Sequence, residues 1–398
     1  MGNPILHLAS LWRGYLRSGH GRREKDCWVF GEWFGKRCGD NAAYLANYVA
    51  ERYPSVCIFW IAQRGCDVSF LHPRIRVLEM DSPEARTVLQ KASVAVMNQG
   101  FGDLSGEAAN VFRGAVTLNL WHGVMWKKIG HDGDKRSSPA FRAYCRLIDP
   151  MLRAKHYVIL SEAYGEHLES AFGAKESGFL RTGYPRNALF YDGEKVAACK
   201  ERVRAMIGAP SDARLVAYMP TFRDSGEENV DLKSIDDAAF LAYLESSGVY
   251  LIQKAHFVAQ ERGSTECANR SGHIVDLNSV MASELLAASD ALITDYSSCF
   301  FDYLLLDRPI IHFLYDYEKY RTDDRGLYYA QEDVVSGDVV TNLPSLQKAL
   351  IENLEAPEKQ HARREEMRGR HLTYECAESC EQICRRLAQE VGLSLDGR

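Results

Sequence analysis

Two histidines and a pair of serines stand where apolar runs break into turns, placements that suit proton transfer and phosphate binding. The run Ala291–Thr294 stops at Asp295-Tyr296-Ser297-Ser298. A helical pattern follows, with Phe301, Leu304 and Leu305 on one face, and Pro309 opens a second apolar run, Ile310–Phe313. That order reads as strand, tight turn, helix, strand. The free N–H groups of the helix start and the hydroxyls of Ser297 and Ser298 would converge on one spot, an anion site suited to phosphate. The plainer account of Asp295 or Ser297 is a helix cap. His122, in Trp121-His122-Gly123, follows the run Val116–Leu120, with Lys127 and Lys128 close behind. A histidine at a strand's carboxyl end can take a proton from a hydroxyl nucleophile, and the neighbouring glycine would let a substrate approach the backbone. His256 ends the run Tyr250–His256 in the same way, just after Lys254. Pro220-Thr221-Phe222-Arg223-Asp224 makes a further strand-to-loop junction, whose arginine suits a pair of phosphate oxygens or a carboxylate such as Asp224. Arg325-Gly326 closes the set after Tyr315–Asp324, a segment too polar for a strand and expected to be a loop over a cleft.

These groups need a scaffold that carries strand ends to one place. Candidate strands are Trp28–Phe30, Val56–Ile61, Ile75–Leu78, Val94–Met97, Val116–Leu120 and Tyr157–Leu160, with helices at Asn41–Arg52 and Pro83–Lys91 among them. The pattern pauses at Gly183-Tyr184-Pro185-Arg186-Asn187. It restarts with Leu215–Met219, Tyr250–Ile252, Ile274–Asp276, Leu292–Thr294 and Ile310–Phe313. Strand–helix alternation implies parallel sheets. Two successive sets imply an α/β protein of two doubly wound, Rossmann-type domains facing a central cleft, with ligands at the carboxyl ends of the strands. The expected division is a basic amphipathic segment over 1–25, domains over 26–185 and 186–356, and a helical segment over 357–398 that packs back on both.

Composition narrows the classes. A chain of 398 residues that is 46% hydrophobic can bury two cores, and its net charge of −6 gives no reason to expect nucleic acid. No apolar run is long enough for a membrane span, and the N-terminus does not read as a signal peptide. The 11 cysteines form no CxxC pair and read as reduced cytoplasmic thiols. Cys376, Cys380 and Cys384 share one helical face and read as packing rather than metal ligands. No GxGxxG or Walker-type loop is present, which argues against an ATPase or kinase.

In their order, Trp121-His122-Gly123 with Lys127-Lys128, Gly183-Tyr184-Pro185-Arg186-Asn187, Pro220-Thr221-Phe222-Arg223-Asp224, Thr294-Asp295-Tyr296-Ser297-Ser298 with Phe301-Asp302-Tyr303, and Tyr317-Glu318-Lys319-Tyr320 with Arg325-Gly326 closely resemble the CDP-glycerol glycerophosphotransferase family of teichoic acid primases and polymerases. Phe34-Gly35-Lys36-Arg37 and Asp40-Asn41 resemble that family's opening motif. The resemblance implies a GT-B-like fold with a CDP-activated donor on the C-terminal domain. It implies His122 as catalytic base and His256 as a second catalytic residue on the donor's phosphates. Arg223, Lys254, Ser297, Ser298 and Arg325 would bind those phosphates, with Thr221, Asp295 and Tyr296 in the donor-binding loop. Lys36, Asn41, Gly123, Lys127 and Lys128 would lie on the acceptor side. The family often has Thr-Pro after the WHG motif, whereas this chain has Val124-Met125, which leaves the acceptor open.

The reaction so implied moves glycerol phosphate or another polyol phosphate to a hydroxyl of a lipid-linked or polymeric glycan, with release of CMP and no cofactor or metal. Its setting is synthesis of a teichoic acid-like or capsule-like surface polymer. The rivals are a nucleotide-sugar glycosyltransferase on the same fold and a non-catalytic subunit binding a polymer or lipid carrier. A cytoplasmic enzyme of this kind would sit on the inner face of the plasma membrane. Ile5, Leu8, Leu11, Trp12 and Tyr15 fall near one helical face, followed by Arg13, Arg17, Arg22, Arg23 and Lys25. Such a segment can lie on an anionic lipid surface, and Arg363, Arg364, Arg368 and Arg370 would form a second basic cluster, partly offset by Glu365 and Glu366.

Overall fold

Strands buried on both faces need near-continuous apolar sequence, and a parallel sheet flanked by helices is where such runs belong. The computed structural model describes residues 12, 22–105, 112–133, 139, 147, 151–221, 229–255, 271–323 and 326–395. Contacts divide the chain into two units: Met1–His122 with Gly130–Ala188 and Tyr374–Arg398, and Gly123–Ile129 with Leu189–Thr373.

The first unit holds β1 (Glu24–Phe30), β2 (Cys57–Ala62), β3 (Arg76–Glu79), β4 (Ala92–Met97), β5 (Val116–Asn119), β6 (His156–Ile159) and β7 (Phe179–Arg181). All pair in parallel, in the order β3-β2-β1-β4-β5-β6-β7. Trp28, Val29 and Phe30 of β1 and Val94 to Met97 of β4 are fully buried at the sheet's centre. Side-chain caps start the helices where the pattern expects them. Asp40 caps Asn41–Arg52, Ser82 caps Pro83–Lys91 with proline in the first turn, and Ser161 caps Glu162–Phe172, which ends at the left-handed Gly173.

The second unit holds β8 (Arg214–Met219), β9 (Val249–Gln253), β10 (Ile274–Asp276), β11 (Ala291–Thr294), β12 (Ile310–Phe313) and β13 (Asp338–Val340), again parallel, in the order β10-β9-β8-β11-β12-β13. In each sheet the order reverses once, between β1 and β4 and between β8 and β11. Ligands of doubly wound sheets bind beyond the carboxyl ends at such a switch point.

Several expectations change. The chain leaves the first unit after Ala188, so Arg186 and Asn187 stay with it, while Gly123–Ile129 belongs to the second. The strands β7 and β13 were not anticipated; each is three residues long and carries too little periodicity to be read. Tyr317–Asp323 is a helix rather than a loop, and Cys376 precedes the helix Ser379–Val391 that carries the buried Cys380 and Cys384. Within the C-terminal stretch, His361–His371 goes with the second unit and Ser379–Val391 with the first, where the latter packs on β4, β5 and Asn41–Arg52.

The basic clusters also resolve differently. Arg23 lies just before β1 and donates to the carbonyls of Leu89 (2.8 Å), Ala92 (3.1 Å) and Arg113 (2.7 Å). Lys25, inside β1, donates to the Gly392 carbonyl at 3.0 Å. Both cations serve the fold. Arg364 is buried against Asp307 (2.8 Å) and the Pro357 carbonyl (3.0 Å), while Arg363, Arg368 and Arg370 pair with Glu366, Glu365 and Asp333. No free basic patch remains there. The residues preceding position 12 and those at 13–21 lie outside the described residues. Among the described residues, no helix is long and apolar enough to cross a membrane, and no group of three metal-ligating side chains occurs.

Candidate active site

At the switch point of the first sheet, two buried carboxylates organise the loops after β1 and β4. Glu32 is fully buried and accepts from the N–H groups of Gly39 (2.6 Å), Asp40 (2.8 Å) and Ala43 (3.3 Å). Burial, then the charge of Asp40, pushes its pKa well above the ordinary carboxylate range against those N–H groups. Asp103 accepts from Phe34 N–H (2.8 Å), Asn98 N–H (2.9 Å) and Gln99 N–H (2.7 Å), and burial raises its pKa to about 6. Between these anchors Trp33 and Phe34 both take left-handed backbone conformations, with φ of 49° and 55°. Each costs about 1–3 kcal/mol for a side chain of this size. The strain is held by Trp33 N–H donating to Gln99 Oε1 (2.8 Å) and the Trp33 indole donating to Asp40 (3.0 Å).

His122 stands just beyond β5. The preceding Trp121 is also left-handed, with φ 55°, and its N–H donates to Asn119 Oδ1 at 2.8 Å. The imidazole is half-buried between two indoles, with ring centroids 5.0 Å from Trp33 and 4.3 Å from Trp121. Because Gln99 Oε1 is taken by Trp33 N–H, the amide nitrogen faces His122 Nδ1, at 3.4 Å. Of the residues expected on the acceptor side, Lys36 is exposed. Asn41 is fully buried, with its amide nitrogen on the Trp121 carbonyl (2.9 Å) and its oxygen under Arg186 N–H (3.2 Å).

Among the described residues at the second sheet's switch point, Asp295 is the carboxylate that gathers the loops. Asp295, only 1% exposed, accepts at a single oxygen from Thr221 N–H (2.8 Å), Thr221 Oγ1 (2.6 Å) and Tyr296 N–H (2.6 Å). Asp295 and Thr221 thereby clasp the loops after β8 and β11 together. Tyr296 stacks on Tyr320 with centroids 3.7 Å apart and donates to Asp316 at 2.9 Å, which docks the helix Tyr317–Asp323 on the turn. Ser298 occupies the cap position of Cys299–Tyr303 without a side-chain cap bond, and Ser297 Oγ reaches Cys299 N–H only at 3.5 Å. Both serines are partly exposed. The hydroxyl of Ser298 is therefore not spent on capping.

Gly123 is buried rather than open to a substrate: a Cβ there would lie 2.1 Å from Ser298 Oγ. Glycine is required because this turn rests on the Asp-Tyr-Ser-Ser turn. The residues after it form a short ladder with the Arg-Gly region. Lys128 N–H donates to Gly326 (2.9 Å), Tyr328 N–H to Trp126 (2.8 Å), and the Trp126 indole to Tyr329 (3.0 Å). Gly326 is left-handed at φ 82°, and the Lys127 ammonium lies 5.2 Å from the Tyr320 ring centre. Lys254, buried at the end of β9, donates to the Asn278 carbonyl at 2.8 Å. On β12, His312 is wholly buried and accepts from Ser336 N–H at 3.2 Å; burial lowers its pKa to about 3, so the ring is neutral. Arg223, His256 and Arg325 lie outside the described residues.

Glu32, Gln99, Asp103 and Trp126 escaped the sequence reading. The first three lie in the loops directly after β1 and β4, so the strand order would have singled them out. Trp126 lay between two noted motifs with no partner visible in the sequence.

Two Rossmann-ordered parallel sheets, with a histidine beyond one and a serine-rich turn beyond the other, define a GT-B-like protein. A solved structure of the wall teichoic acid polymerase TagF superposes with a TM-score of 0.78 over 98% of this chain and 97% of that one, at 21% identity. The chain belongs to the CDP-glycerol:poly(glycerophosphate) glycerophosphotransferase family, whose pattern matches residues 17–389. It is 28% identical over 341 residues to a teichoic acid poly(glycerol phosphate) polymerase of Staphylococcus epidermidis, covering 84% of this chain and 46% of that protein. A polymerase of the same name from Bacillus spizizenii is 31% identical over 60% of this chain and 61% of its own length. The teichoic acid glycerol-phosphate transferase of Staphylococcus aureus is 26% identical over 82% and 83% of the two chains. The chain thus spans about half the length of the first of these polymerases.

Proposed function

We propose that the protein transfers glycerol phosphate, or a related polyol phosphate, from a CDP-linked donor to a hydroxyl of a lipid-linked or polymeric acceptor during synthesis of a teichoic acid-like polymer. The observation that carries this reading is the family match across residues 17–389, which spans both switch points. TagF has also been solved with CDPG, and the relatives named above act on glycerol phosphate.

His122 removes the acceptor hydroxyl's proton, and the oxygen lone pair forms a bond to the phosphorus that bears the glycerol. The bond from that phosphorus to the bridging oxygen breaks, and CMP leaves with the electron pair. Such transfers depend chiefly on positioning and charge neutralisation. Lys254, with Arg223 and Arg325, neutralises the donor's phosphates, Ser297, Ser298 and His256 donate hydrogen bonds to them, and the helix start at Cys299 adds N–H donors. The reaction as written balances without a cofactor. The acceptor's lipid would place the enzyme at the cytoplasmic face of a membrane, with the basic segment before β1 as its contact. Deleting residues 1–21 should then abolish sedimentation with anionic vesicles and spare activity on a soluble acceptor.

The deciding assay incubates purified protein and a hydroxyl acceptor with CDP-glycerol, CDP-ribitol or UDP-sugars. CMP release coupled to phosphodiester formation is the expected result. UDP release with glycoside formation would identify a glycosyltransferase instead, and no turnover of any donor would favour a binding subunit.

A further inference from the structure

The arginine of the Gly183-Tyr184-Pro185-Arg186-Asn187 motif reaches the backbone of His122. Arg186 is 8% exposed and splits its fork between two partners. Nη1 pairs with Asp40, and Nη2 donates to the His122 carbonyl at 3.0 Å. The Arg186 backbone N–H donates to Asn41 Oδ1 at 3.2 Å, and the Asn41 amide donates to the Trp121 carbonyl at 2.9 Å. The carbonyls on either side of His122, those of Trp121 and of His122 itself, are thus both held by side chains, while Trp121 sits in a left-handed conformation. Asp40 also accepts from the indole of Trp33, whose ring packs on His122, so one carboxylate links the loop's grip to its aromatic wall.

The motif is itself anchored. Gly183, at φ 74°, leaves room for Glu375, whose Oε2 would lie 2.5 Å from a Cβ there. Glu375 Oε1 accepts from Tyr184 N–H (3.1 Å) and from the Asn187 amide (2.8 Å), and the Tyr184 ring centre lies 5.0 Å from the Arg186 guanidinium. We propose that Arg186, held by Asp40 and by a motif clamped on Glu375, is the positioning residue that fixes His122 for proton transfer. An ion pair alone would need one edge of the guanidinium, but here the second edge goes to the carbonyl of the reacting residue. Lysine has no planar fork to serve both partners at once.

The proposal rests on His122 acting as base, so its test uses one readout of the loop and one of turnover. The full chain is compared with Arg186→Ala and, should that fold poorly, with Arg186→Lys, which retains the charge beside Asp40. Hydrogen exchange of a peptide covering 119–124 should speed up at least about tenfold in either variant. Turnover of CDP-glycerol should fall about a hundredfold, as expected when a reacting group shifts by about 1 Å, while donor Kd stays within about twofold. Guanidinium ion should restore part of the turnover of Arg186→Ala, a result that a purely structural role would not produce. Unchanged exchange, or faster exchange with full turnover, would overturn the proposal. A wild-type protein inert toward every CDP-linked donor would count against the proposed function, and exchange at 119–124 would then decide the brace alone.

Discussion

Beyond the first sheet, two buried carboxylates gather the backbone N–H groups of two loops and hold Trp33 and Phe34 in strained conformations beside His122. Beyond the second sheet, Asp295 alone gathers Thr221 and Tyr296 and leaves the Ser298 hydroxyl free of any cap bond. The strand order is the same and the devices are alike, but what they present differs. On the proposed function, one switch point aims a titratable ring and the other an anion-binding turn. Strain concentrates at the first, where on that proposal a proton is taken from a defined direction; a turn binding phosphate through backbone and hydroxyl groups would need less of it.

The largest effect should come from the ring. His122→Ala should lower turnover of CDP-glycerol about a hundred- to ten-thousand-fold, the usual range for a general base, as read by CMP release. A loss of less than tenfold would remove the distinction between the two switch points.

Acid should affect the two regions in opposite directions. His312, neutral and buried near the second switch point, has its pKa depressed to about 3. Its contribution is present above the unfolded value near 6.5 and is lost as pH falls toward the folded value, about 5 kcal/mol at most. Asp103 is raised to about 6. Its contribution is present below the unfolded value near 3.8 and is lost as pH rises through 6, about 3 kcal/mol at most. In urea melts between pH 7 and pH 4, His312→Leu should therefore lose less stability than wild type, and Asp103→Asn should lose more. Parallel losses in both variants would contradict these assignments.

Glu32→Ala and Asp295→Ala each strip the acceptor from three donors, at about 1–3 kcal/mol per group left unsatisfied. Both should lower the urea midpoint. Only Asp295→Ala should also weaken CDP-glycerol binding, by about tenfold, because only its loops present the turn proposed to bind the donor's phosphates.

Most of this scaffold was legible in the chain. Val94–Met97 and Leu215–Met219 are apolar runs that could hardly be anything but buried strands, and each was extended in the structure by a residue or two. The motif turns at His122 and Ser297-Ser298 fell at strand ends, as read. What stayed hidden were partnerships across long sequence separations. Nothing local says that Arg186 reaches the carbonyl of His122, that Gly123 rests on Ser298, or that Lys128 pairs with Gly326. Asn41 was expected on the acceptor side from the family resemblance, and it is buried, with its amide on the Trp121 carbonyl. The basic cluster at 363, 364, 368 and 370 is offset by more than its neighbours Glu365 and Glu366, because Arg364 and Arg370 pair with Asp307 and Asp333, which are distant in sequence.

The division of labour between the switch points is tested most directly by calorimetric titration of CDP-glycerol into two variants, His122→Ala and the double variant Ser297→Ala/Ser298→Ala. The account predicts a donor Kd within about twofold of wild type for the first and at least about tenfold weaker for the second, since hydrogen bonds to charged phosphate are lost only there. An unchanged Kd in the double serine variant, or a lost one in His122→Ala, would contradict it.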